Sequence, residues 1–166
     1  MTDKPDAPKP AAMPQPTEQH RKLHLLAGEW EGEEKLSLSP WGPGGVAFGR
    51  YSGRIAMDGF YVAQDYTEEK EGRVVFRGHG VFGWDAQKAA YAWYWFDSMG
   101  QVPPQPSYGQ WQGETLTFES SLPQGRGRYS FRFAGTDAYT FKLESSFDGG
   151  ATYTTLMEGH YRRKTV

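Results

Sequence analysis

The densest grouping of residues able to do chemistry in this 166-residue chain is Trp93-Tyr94-Trp95-Phe96-Asp97-Ser98-Met99-Gly100. An aromatic run ends there abruptly in an acid, a hydroxyl, a thioether and a glycine. A carboxylate at the end of so aromatic a strand is costly to desolvate unless it is hydrogen-bonded or faces a polar cavity. Asp97 is thus either a cap on the turn that follows or the polar anchor of a site whose apolar wall includes Trp95. Tyr66 is the aromatic partner expected from another strand, with Gln64 and His79 as further candidates. Strand parity alone leaves open which face looks inward. The expected ligand-binding set is Gln64, Tyr66, His79, Trp95, Asp97, Ser98 and Met99. If the site is catalytic instead, Asp97 with His79 or Tyr66 is the acid–base pair it offers.

Other groupings resolve into turns and strands. Gly78-His79-Gly80-Val81-Phe82-Gly83 spells the dinucleotide pattern G-x-G-x-x-G. That pattern works only where a strand turns into a helix whose N-terminus receives the pyrophosphate. Here it runs into Trp84-Asp85 and another strand, so its glycines are read as letting a long strand coil. Ser146-Phe147-Asp148-Gly149-Gly150-Ala151-Thr152-Tyr153 fits one Asp-box, at root a hairpin in which Asp148 caps its own turn. His20 and His24 have the spacing of helix-borne metal ligands, but no third ligand lies near them, and they read as a solvated face. The chain has no G-x-S-x-G elbow, P-loop or H-E-x-x-H, and its four histidines are scattered. No catalytic residue, metal or cofactor is assigned.

Lys and Arg number 18 against 20 Asp and Glu, a net charge of −2, which gives no broad attraction to nucleic acid or to an anionic membrane. Cysteine is absent, excluding disulfide and thiolate chemistry without fixing the compartment. With no signal-like apolar run near the start and no long apolar stretch, the expected location is cytoplasmic. Residues 1–16 hold five of the 11 prolines and no aromatic residue, and are expected to be a disordered tail before a single domain over 17–166.

These side chains need an all-β frame. Residues 17–26 read as a short helix that Gly28 ends. From Glu29 the period is two: Trp30, Gly32, Glu34, Leu36 and Leu38 share one face, and Glu31, Glu33, Lys35 and Ser37 the other. Further alternating runs cover 46–57, 60–67, 73–84, 90–97, 107–112, 115–120, 126–134, 138–146 and 151–163, with a tight turn expected at Asp58-Gly59. The 26 aromatic residues all lie between Trp30 and Tyr161. Ten strands joined by short links make an antiparallel up-and-down barrel, with rings filling its core.

Gly28-Glu29-Trp30 on the first strand and Tyr161-Arg162-Arg163-Lys164 on the last resemble the closing plug of calycin (lipocalin-like) barrels. In that plug an arginine lies over a tryptophan ring, so Trp30 and Arg163 are the expected structural pair. The chain as a whole resembles the bacterial family DUF1579. The likeness rests on Leu26-Ala27-Gly28-Glu29-Trp30-Glu31-Gly32, Met57-Asp58-Gly59, Asp65-Tyr66, Gly78-x-Gly80, Gly83-Trp84-Asp85, Trp95-Phe96-Asp97-Ser98-Met99-Gly100, Thr115-Leu116-Thr117-Phe118 and Tyr161-x-Arg163-Lys164. It implies a calycin-like barrel and no particular activity. Barrels of this shape enclose one concave pocket, so the expected partner is a small hydrophobic or amphipathic ligand, with a homodimer left open. By likeness to nitrobindin-type barrels, a third reading is haem binding with His79 or His160 as axial ligand.

Overall fold

The computed structural model describes residues 9–123 and 125–165. Helix α1 (Glu18–Lys22) begins at Thr17, whose backbone N–H and hydroxyl both bond to His20 Nδ1, so His20 serves as part of a helix cap. One 3-10 turn, Leu23–Leu26, follows and buries Leu23 and Leu26 completely. His24 bonds through Nε2 with the carbonyl oxygen of Gly59. No cluster of three or more metal-ligating side chains occurs among the described residues.

Ten strands follow: β1 (Gly28–Leu36), β2 (Gly45–Ala56), β3 (Tyr61–Lys70), β4 (Arg73–Asp85), β5 (Ala90–Asp97), β6 (Ser107–Gln112), β7 (Thr115–Leu122), β8 (Gly125–Phe133), β9 (Ala138–Ser146) and β10 (Thr154–Arg163). Each pairs antiparallel with the next, and β1 pairs with β10, so the sheet closes on itself and has no free edge. The β2–β3 turn is closed by the Phe60 N–H on the Met57 carbonyl, so its central residues are Asp58 and Gly59, at φ 56° and 97°, where the sequence placed them. Met57 before them, at φ 50°, is also in the left-handed region, which is unusual for so bulky a residue. Residues 9–15 are exposed and without regular structure, and residues 1–8 lie outside the described residues.

Large rings fill the inward positions. Phe82 and Trp93 stack at 5.3 Å, and Phe118 and Phe131 pack against both. The two inward glycines of β4 make this possible. A Cβ on Gly80 would stand 2.6 Å from Trp93 Nε1, and one on Gly78 would overlap the Trp95 ring. The G-x-G-x-x-G letters therefore leave room for two indoles of the neighbouring strand.

The end of the barrel under α1 is sealed by Trp30, 1% exposed, with the Arg163 guanidinium 4.2 Å from its ring centroid. Arg163 Nη1 donates to the Ala27 carbonyl at 2.6 Å, and Trp30 Nε1 donates to that of Leu26. Gly28, at φ 114°, has no side chain because the guanidinium occupies that space. No helix among the described residues is long and apolar enough to cross a membrane.

Candidate functional site

The end opposite the plug is open. A cavity of about 360 Å³ enters the barrel there, walled by Tyr51, Tyr66, Phe76, Trp93, Trp95, Tyr129, Phe141, Leu143 and Met157. The β1–β2 loop bends over its rim with Trp41, itself 63% exposed. Charged groups are few on its lining: Glu68, Lys70 and Asp97.

Trp95 and Asp97 alternate with the outward Tyr94 and Phe96, which places both on the inner face of β5. Asp97 caps the turn and also lies on the cavity lining. Its Oδ1 accepts the Met99 backbone N–H at 2.9 Å, capping the turn, and its Oδ2 accepts Trp95 Nε1 at 3.0 Å across the cavity rim. Ser98 and Met99 form that turn and lie outside the lining. The Ser98 hydroxyl accepts the Arg77 N–H, and Met99 is 62% exposed. His79 alternates with the inward Gly78 and Gly80 and so faces out, where Nδ1 meets Asp65 Oδ1 at 2.6 Å. That bond holds the Asp65 carboxyl below its ordinary range. His160 also lies on the outer surface, beside Thr140 and Glu158. Neither His79 nor His160 can then be an axial ligand to a haem inside the barrel, and His79 cannot pair with an Asp97 that faces the other way.

Tyr66 and Gln64 are adjacent inward positions of β3. Tyr66 stacks on Tyr51 at 4.4 Å and forms part of the cavity wall. Its hydroxyl donates to Glu34, 2.8 Å from each carboxylate oxygen, and lies 3.3 Å from Glu68 Oε2. It makes no bond to Asp97. Gln64 is fully buried one inward position deeper.

Glu34 was not among the expected site residues. It is fully buried on the face of β1 that carries Trp30, and it also accepts the Tyr161 hydroxyl. Burial raises its pKa to about 7; the two tyrosine bonds work against that rise and the nearby Glu68 charge adds to it. Burial likewise pushes the Tyr51, Tyr66 and Tyr161 hydroxyls up, so these remain protonated donors. Gly49 and Gly159 leave the space that Glu34 and Tyr161 fill. The result is a carboxyl–tyrosine cluster beneath the cavity, able to hold a proton near neutral pH.

The profile of the family described as "Protein of unknown function (DUF1579)" matches residues 15–163. The chain belongs to that family. No curated protein matches this DUF1579 chain. Among solved structures, Rv2717c from M. tuberculosis superposes at TM-score 0.68 with 12% identity, covering 90% of this chain and 99% of that one. The S-type phycobiliprotein lyase CPES from Guillardia theta does so at 0.63 with 10% identity, covering 89% and 93%. At these identities the likeness shows a shared calycin-like barrel and nothing finer.

Proposed function

We propose that this DUF1579 barrel binds a small apolar or amphipathic molecule in the cavity at its open end. The observation that carries the reading is the cavity itself: about 360 Å³, walled mainly by rings, with Glu68, Lys70 and Asp97 as its charged groups. Small-molecule sites have this size and makeup. Tyr66, Trp95 and Asp97 are the members of the expected set that line this cavity, with Trp93, Phe141 and Met157 added by the fold. That a barrel of the same architecture belongs to a phycobiliprotein lyase supports a small-ligand use of the frame. For acid–base catalysis, Asp97 lacks the partner that His79 or Tyr66 was expected to give.

Native mass spectrometry of the protein purified from its own host, compared with denatured mass, should show a bound molecule of a few hundred daltons. Trp95→Ala should weaken the binding of that molecule about tenfold or more by removing apolar wall, and Asp97→Asn by a smaller factor. Ligand-free protein throughout, with no quenching of tryptophan fluorescence by apolar probes, would overturn the proposal.

A further inference from the structure

Two buried polar side chains, Trp93 on the cavity wall and Gln64 one inward position below the wall residue Tyr66, have no hydrogen-bond partner among the described residues. Both amide atoms of Gln64 lack one, as does Trp93 Nε1. Gln64 is fully buried and Trp93 is 5% exposed. Both border Gly80: Gln64 faces it on β3, and Trp93 reaches it from β5. The Trp93 indole lies across Gly80, its Nε1 2.6 Å from where a Cβ would be. Gly80, without a side chain, thus has Gln64 opposite it on β3 and the Trp93 N–H over it. Trp95 is the contrast, since its own Nε1 is bonded to Asp97. A buried amide and indole left without partners are costly.

Charge decides what such a site accepts. The lining carries Glu68 and Asp97 against one cation, Lys70, and Glu34 lies beneath it. A carboxylate head entering the barrel would meet like charge and find no arginine. Gln64 offers one donor group and one acceptor, and Trp93 adds a second donor. Both match a neutral oxygen-bearing group.

Resting on the cavity reading above, we propose that the ligand enters head first with an uncharged carbonyl- or hydroxyl-bearing group. Its oxygen accepts from Trp93 Nε1 and bonds the Gln64 amide, and its apolar body lies among Tyr66, Trp95 and Phe141 toward the mouth.

Octanamide, octanoate and octylammonium share one chain and differ in head charge. Their affinities are to be measured by calorimetry on the full chain and on Gln64→Leu and Trp93→Phe, with melting temperatures of the ligand-free proteins. Octanamide should bind the parent about tenfold tighter than octanoate, and tighter than octylammonium. Each substitution should cost octanamide about five- to tenfold while leaving the two ions within about twofold. Gln64→Leu should also melt at or above the parent temperature, because an apolar group of similar shape replaces an unpaired amide. Equal binding of the three compounds, or an octanamide affinity unmoved by both substitutions, would overturn the head-first reading and leave the cavity reading standing; the amide would then be bonded to trapped water. Tighter binding of octylammonium would overturn it in favour of the acids. Absence of binding by all three would overturn both readings.

Discussion

Glu34 shows how much one side chain inherits from its surroundings. Its carboxyl is enclosed by tyrosines and stands near Glu68, and its pKa rises from 4.5 to about 7. Between those values the folded protein holds a proton that the unfolded chain has released. The stabilisation is therefore complete below pH 4.5 and is lost as pH rises through about 7. The fall should be on the order of 3 kcal/mol, at 1.4 kcal/mol per unit. Denaturation at a series of pH values should show it in the parent, and Glu34→Gln should flatten that slope. An identical slope in the variant would assign the titration elsewhere. At the other end of the barrel, Trp30→Ala should cost about 3–5 kcal/mol, the range for truncating a large buried aromatic. Arg163 would lose its ring and keep its carbonyl partners and Asp137, so a cost below about 1 kcal/mol would show that the seal depends on the helix alone.

At the scale of elements, the cavity wall is a matter of β4 and β5 fitting each other. β5 supplies inward Tyr91, Trp93 and Trp95, and β4 answers with Gly80 and Gly78 where the indoles lie flat. Gly80→Ala should destabilise by about 1–3 kcal/mol through overpacking, and should shift tryptophan emission as Trp93 is displaced. His79→Ala, one residue away but outward, should change stability by under about 1 kcal/mol, because it loses only an exposed pair with Asp65. Chemical denaturation of the two variants reads both effects. Equal costs would contradict the alternation on which the site rests.

For the whole molecule, closure of ten strands leaves one end under the α1 segment and the other open. The covered end is tied down by Arg163, by the Tyr91 hydroxyl on Gln19, and by Leu23 and Leu26. Arg21 Nη1 donates to the Pro16 carbonyl, and the Pro16 ring lies beside Gly59 of the β2–β3 turn, so the chain meets the barrel at residue 16. Deleting residues 1–14 should therefore leave the melting temperature unchanged within about 1 °C, since that Pro-rich stretch has no aromatic residue to bury. A loss of several degrees would show that it docks.

The ten strands, their antiparallel order and the Trp30–Arg163 seal were legible in the residues. Period-two alternation, turn signals at regular spacing and a Gly-x-Trp near the start are local patterns, and local patterns survive in sequence. Glu34 was legible too, as the acid sharing Trp30's face of β1, yet parity alone does not tell a buried carboxylate from a rim one. Asp97 and Trp95 were found because an acid ending an aromatic strand is conspicuous, whereas His79 was misplaced by a single step of the pleat. Only the closed barrel decided that Gln64 and Trp93 both border Gly80, and that Tyr66 and Tyr161 converge on Glu34. Those neighbours are 29 and 127 positions apart along the chain, or on strands not adjacent to each other, and shear and register, which no local pattern encodes, bring them together.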